Sequence, residues 1–423
     1  MGLAFPAIPQ ELLADTKVSA TLAAETLTRL AKFAKSFAPC FTRSEQGTHC
    51  RTYLEGLMSD LHRKSIEPIA TAHCDPRRPL QRFVGAGKWD DTDPRDKLLR
   101  RVASEIGDPQ GVLVLDSSGF TKKGKHSVGV ARQWNGRLGK IDNCQVGVFI
   151  SYCGRGSATL VDADLYLPHE WTRSRARLDH VHVPRDIGFR SKIEIAKQRL
   201  EILSPALPHA WVTGDDEFGR PAHFRRWLRR RKETYLLDVP SNTVIRDLEA
   251  PPPRPLPGRR GPHSKAPFQS VEAWTKSLPP RSWTRVLVHD GEKGPIEVEA
   301  ASCRVRTKHQ GRLGPREVLL VTRTLEKVPD VRYSLTNAPA TTPREVLTRV
   351  AGARHHIEES FEVAKGDLGM HHYEVRSWVG WHHHMTMLLL AQWFLTLEHR
   401  RLGEKISGAD RPDDRAASEE AVA

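Results

Sequence analysis

Three widely separated acids stand where carboxylates could act together on a phosphodiester. Asp116 follows the apolar run 112–115, Asp215 and Asp216 follow the short run 211–214, and Glu358 lies four residues after Arg354 and seven before Lys365. Cleaving or transferring a phosphodiester at neutral pH requires the charge of a pentavalent transition state to be neutralised. Two divalent ions about 4 Å apart can do this, one at the attacking oxygen and one at the leaving oxygen. Magnesium takes oxygen ligands and keeps open positions for phosphate and water, so a few carboxylates on rigid, converging elements suffice.

Each acid also has an ordinary reading. Asp116 precedes Ser117, Ser118 and Gly119 and could cap a turn, and the Asp215–Asp216 pair could be an N-cap cluster for a following helix. Arg354, Glu358 and Lys365 share one helix face, and such a triplet is commonly a solvated face with ion pairs. The combination carries more weight: strand–Asp, strand–Asp, a β-rich stretch, then helix–Glu.

The elements that would position these acids follow from hydrophobic periodicity. Residues 1–105 show helical stripes, at 21–37 and again at Tyr53, Leu54, Leu57 and Leu61, without strand patterns, and read as a separate helical module. From Gly111 the pattern changes to strands at 112–115, 127–132, 145–152 and 157–163. Ser191 and Glu194 form a capping box for a helix that Pro205 and Pro208 end. A strand at 211–213, a basic helix at 221–232 and a strand at 234–239 follow. The stretch 251–267 is rich in Pro and Gly and reads as a linker or long loop. Strands at 283–288, 296–300 and 318–322 make a β-rich block. One long helix is then expected from Thr342, Pro343 and Glu345, with Val346, Val350, Ala353, Ile357 and Ala364 inward, and another over 378–401.

The sequence predicts an α/β chain with a helical DNA-binding domain at 1–105 and a catalytic core at 106–240 and 339–402. A linker and β-rich insertion occupy 241–338, and the polar tail 403–423 is expected to be disordered. Lys and Arg outnumber Asp and Glu by 65 to 51 in 423 residues, an excess that suits a polyanionic partner. Six cysteines without a C-x-x-C pair argue against a zinc ribbon or disulfide framework and suit a reducing cytoplasm. No secretion signal is evident, and the apolar stretch 385–397 is too short to span a bilayer.

The blocks around the acids resemble bacterial insertion-sequence transposases of the DD(E/D) superfamily. The run 114–133 (VLDSSGFTKKGKHSVGVARQ) resembles the first-aspartate block, continued at 143–147 and 162–171. The run 212–219 (VTGDDEFG) resembles the second, whose Asp-x-x-aromatic-Gly pattern selects Asp215 over Asp216. Arg354, Glu358 and Lys365 match the R-x3-E-x6-K spacing of the Y-R-E-K signature, which selects Glu358 over Glu359. The signature's Tyr falls at Ala351, a departure that touches a DNA contact and leaves the acids intact.

The resemblance implies an RNase H-like mixed-sheet core with a β-rich insertion before the last acidic helix. It implies metal binding by Asp116, Asp215 and Glu358, with Mg2+ as cofactor or Mn2+ in its place. It further implies cleavage at terminal inverted repeats, strand transfer into target DNA, and a homodimer on double-stranded DNA in the cytoplasm, associated with the nucleoid. Arg354 and Lys365 would contact phosphates. Lys122, Lys123 and Lys125 in a turn, and Arg229 and Arg230 within the basic run 225–232, could contact the DNA backbone, although both groups also suit solvated surface. The histidines at 355–356, 371–372 and 382–384 fit no tetrahedral metal template and read as packing or phosphate contacts. Competing readings are a DNA-binding relative that no longer cuts, or another RNase H-like nuclease.

Overall fold

The computed structural model describes residues 20–251, 266–291, 294–309 and 311–409; most of the expected linker lies outside them, as does the end of the tail from residue 410. Five strands form the centre. β1 (Val112–Thr121), β3 (Lys140–Gly154) and β4 (Ser157–Tyr166) run antiparallel in the order β4-β3-β1, with β2 (Ala131–Asn135) on the other end of β3. β5 (Trp211–Gly214) lies parallel to β1, and β6 (Tyr235–Asp238) parallel to β5. The order β4-β3-β1-β5-β6, antiparallel on one side and parallel on the other, is the RNase H-like mixed sheet.

The β-rich block extends this sheet. β12 (Val331–Thr336) pairs antiparallel with β6, and β11 (Arg312–Thr324), β10 (Gly294–His309), β7 (Val244–Asp247) and β8 (Gln269–Ser270) follow outward, with β9 (Thr284–Gly291) also on β10. It has its own small core, including Val239, Ile245, Trp274, Val305, Leu319 and Leu335. Where block meets centre, Arg225 and Glu317 form a buried ion pair 2.9 Å apart, and the Tyr235 hydroxyl donates to Glu317 at 2.6 Å. A buried pair like this is costly to break, because the survivor is left charged and dry.

The N-terminal residues form α1 (Ala20–Phe37), α2 (Ser44–Leu57), α3 (Ile66–Ala72), α4 (Arg77–Gly85) and α5 (Thr92–Ile106). Their apolar stripes belong to the same buried cluster as the central sheet, so the core runs without interruption from Leu30 to Phe394. α6 (Lys192–Ala206) keeps its capping box at Ser191 and Glu194 and carries Pro205 inside its last turn. α7 (Ala222–Arg230) is the basic helix. The long C-terminal helix expected after residue 342 is two: α8 (Arg344–Gly352) and α9 (His355–Gly366), because backbone bonds at the join tighten to i−3, from Arg354 to Ala351 and from His356 to Ala353. α10 (Trp378–Ala409) extends past the expected end at residue 401.

Strand 127–132 was expected and only its end is strand. Gly129 adopts φ of +74° and makes a turn instead, which lets Val128 and Val130 bury without a ladder. The histidines 382–384 are core residues of α10: His383 stacks on Trp89 at 3.7 Å, and His384 bonds the Tyr53 hydroxyl at 2.9 Å and the Met370 carbonyl. Among the described residues no helix is long and apolar enough to cross a membrane.

Candidate active site

β1 does not stop at Leu115. It continues through Asp116 to Thr121 against β3, while its pairing with β5 ends at Leu115 opposite Gly214. Ser117, Ser118 and Gly119 are therefore strand residues, and the turn-cap reading of Asp116 falls. Asp116 and Asp215 are each the next residue beyond that last rung, where the parallel pairing ends; β5 stops there while β1 runs on against β3. Asp215 is also an N-cap: its Oδ1 accepts from the Glu217 amide at 3.1 Å and opens the single turn Asp216–Gly219. The capping role expected of this residue is seen for this single turn and not for the helix after Pro221, whose N-cap is Pro221 itself. Gly219 closes the turn because a Cβ there would lie 1.8 Å from the Asp238 carbonyl oxygen.

The surroundings raise both carboxyls of the pair above their ordinary range. Burial pushes Asp116 up to about 6, against the opposing pull of Arg354 and the Ser117 amide, with Glu358 adding repulsion. Burial pushes Asp215 up to about 7, with repulsion from Asp116 and Glu217 added. Desolvated, mutually repelling carboxylates are a signature of functional sites and of cation sites in particular.

α9 brings the third acid. Ile357, Phe361 and Ala364 turn inward, with the Phe361 ring 5.3 Å edge-on from Phe149 of β3, and burying such side chains contributes about 1.5–3 kcal/mol each. That packing leaves Arg354, Glu358 and Lys365 on the neighbouring face. Arg354 lies 2.8 Å from Glu358 and 3.3 Å from Asp238. Burial acts to lower the Arg354 pKa, but the carboxylates of Asp238, Glu358, Asp116 and Asp215 outweigh it and hold it up. The Lys365 charge also reaches Asp116, and its ammonium sits 4.8 Å from the Phe361 ring. The structure thus brings Asp116, Asp215, Glu358, Arg354 and Lys365 into one electrostatic neighbourhood.

Two participants had no sequence signal. Lys192, at the start of α6, lies 2.6 Å from Glu217 and 3.4 Å from the Ser117 hydroxyl, and Ser117 donates to Glu217 at 2.7 Å. Asp238 ends β6. Ser117 and Glu217 lie inside the two aspartate blocks without a role of their own there, and no motif marks Lys192 or Asp238; the fold alone brings these residues together.

The expected DNA-contacting residues divide. Lys123 and Lys125 are exposed, as is Arg230. Lys122 is turned inward: its ammonium donates to the Tyr373 carbonyl at 3.1 Å and lies 3.4 Å from that ring's centre. Arg229 donates to the Arg316 carbonyl at 3.0 Å, across the seam with the insertion. An amphipathic lysine or arginine beside an aromatic or a free carbonyl is drawn to it, which charge counting along the sequence does not register.

An all-oxygen set at Asp116 and Asp215 suits a hard divalent cation, and both carboxyls are half-buried and raised in spite of the Arg354 charge nearby. Among the described residues no three potential ligands already stand close enough to hold one. Glu358 is 41% exposed, with Oε1 held by Arg354 at 2.8 Å and Oε2 3.7 Å from the His355 ring.

A mixed sheet of this order, antiparallel on one side of β1 and parallel on the other, is an RNase H-like core. The DDE superfamily endonuclease family model matches residues 36–295, and the chain belongs to that family, whose nucleases generally use divalent metals. The match spans Asp116 and Asp215 and ends before Glu358. The chain is also similar to a probable transposase for insertion sequence element IS701 of Microchaete diplosiphon, at 25% identity over 74% of this chain and 73% of the relative.

Proposed function

We propose that this chain is a DNA transposase that binds the terminal inverted repeats of its element, cleaves at the ends and joins them to target DNA. One observation carries the reading: Asp116 and Asp215 follow the last rung of the β1–β5 pairing, close enough for Asp116 to repel Asp215, with the charges of Arg354 and Glu358 within their field. The transposase name of the relative, and the match of Arg354, Glu358 and Lys365 to the signature spacing, support the same conclusion.

Asp116, Asp215 and Glu358 would hold Mg2+, or Mn2+ in its place. Bound divalent ions would supply neutralisation of the phosphorane charge and activation of the attacking oxygen. The chain's own residues do the rest. Arg354 and Lys365 bind scissile-strand phosphate through charge-assisted bonds. Lys123, Lys125 and Arg230 offer exposed charge for the duplex backbone, which positions it without reading sequence. Two copies bridging two element ends give the paired assembly that end joining requires.

The test is nicking of a duplex carrying an element end, in Mg2+, by wild type, Asp116→Asn and Glu358→Gln. Loss of roughly 10³-fold or more is expected in each variant, because several kcal/mol of transition-state stabilisation depends on the acids. Cleavage that survives Asp116→Asn sinks the proposal.

A further inference from the structure

Asp238 lies in the same row as the two aspartates. Leu115 is opposite Gly214 and Gly214 opposite Leu237, so Asp116, Asp215 and Asp238 are successive steps across three parallel strands. Its carboxylate is fixed from the insertion side: Ser334 of β12, its partner in register, donates to Oδ1 at 2.6 Å. Oδ2 faces Arg354 Nη1 at 3.3 Å, while Nη2 of the same guanidinium holds Glu358 at 2.8 Å. One arginine is therefore shared by two acids, and its buried Nε finds no other partner among the described residues.

The two acids are not equivalent. Asp238 is 16% exposed, short, and seated on a strand; Glu358 is 41% exposed, longer, and in the first turn of a helix. Glu358, whose other oxygen lies 3.7 Å from the half-exposed His355 ring, has room to turn, whereas Asp238 is held by Ser334. Stripping Arg354 of both partners would strand a charge that is itself only 18% exposed, at a cost that forbids it. With Asp238 in place, losing Glu358 leaves the guanidinium paired.

We propose that Asp238 is a positioning residue: it anchors Arg354 at the site so that Glu358 can release its ion pair and turn to a divalent cation. This rests on the reading of Glu358 as a metal ligand. Without Asp238, Glu358 is the carboxylate left at ion-pair distance from Arg354 among the described residues, with Asp116 and Asp215 acting only through their fields, and it is withheld from the ion.

The test is Mn2+ binding to the full-length, DNA-free protein, followed by electron paramagnetic resonance of free Mn2+, for wild type, Asp238→Asn, Arg354→Ala and the double variant. Coupled residues in one network depart from additivity, so Asp238→Asn should weaken Mn2+ about tenfold in the wild-type background and less than about threefold once Arg354 is gone. An equal loss in both backgrounds would mean that Asp238 acts on the cation directly, and no loss in either would mean it does not act; both overturn the proposal. Should Asp238→Asn fail to fold, Ser334→Ala replaces it in the same cycle, with the same dependence on Arg354 required. Glu358→Gln separates the two claims: unchanged Mn2+ affinity there removes Glu358 as a ligand and fails the functional reading itself, independently of how the cycle comes out.

Discussion

Asp215→Asn should make the metal-free protein more stable while removing its cleavage activity. Asparagine keeps the Oδ1 that accepts from the Glu217 amide, so the cap survives and only the charge is lost. The Asp215 carboxyl is pushed from 3.8 up to about 7, chiefly by burial and then by Asp116 and Glu217. At 1.36 kcal/mol per pK unit, holding it ionised at pH 8 costs the fold about 4 kcal/mol. With an unfolding entropy of about 2.1 cal/mol/K per residue, that is about 4–5 °C in the melting temperature of a chain this size.

The sign fixes the pH dependence. A carboxyl raised in the folded state costs nothing below its unfolded value near 4 and costs its full amount above its folded value near 7. The gain from Asp215→Asn should accordingly be full at pH 8 and vanish towards pH 4. Differential scanning fluorimetry with a chelator, at several pH values, measures it. Added Mg2+ should close the gap, since only the wild type gains from binding the ion. A variant that melts no higher than wild type at pH 8, or that gains equally at pH 4.5 and pH 8, refutes the reasoning that this pair is a strained cation site.

Three further outcomes follow from individual contacts. His384 is built to stay neutral, accepting from Tyr53 and donating to Met370, and burial pulls it down to about 3. Below about 6.5 the unfolded chain takes up a proton that the fold refuses, so stability should fall by up to about 1.4 kcal/mol per pH unit from this group, and His384→Gln should flatten the slope in acid-unfolding titrations. Lys123→Ala and Lys125→Ala should each reduce the slope of log affinity against log salt for DNA by about 0.9 where a phosphate contact is lost, whereas Lys122→Ala should lower the melting temperature and leave the slope unchanged. Gly219→Ala drives a methyl into the Asp238 carbonyl and should destabilise the protein by about 1–3 kcal/mol in denaturant melts, with cleavage reduced as the Asp215 turn shifts.

The sequence by itself determined the order of the elements that carry the candidate acids: strand, strand, β-rich block, helix. Short apolar runs ending in Asp116 and Asp215 betray buried strands because such strands must be apolar on both faces, and the Arg354–Glu358–Lys365 spacing survives because one helix turn is a local property. The β-rich block was legible from the same alternation. Four things were decided only by tertiary structure. Pairing with β3 carried β1 past Asp116 and turned a presumed turn into strand. The pull of Asp238 on Arg354 coincides with the break between α8 and α9, where the apolar stripe had continued unbroken. Lys122 and Arg229 found partners more than eighty residues away, and charge alone had placed them at the surface. Asp238 and Lys192 came to lie beside the candidate acids and Glu217 without any sequence pattern of their own. Periodicity reports which face of an element is dry; which distant side chains meet across that face depends on register and packing, and those exist only once the chain has folded.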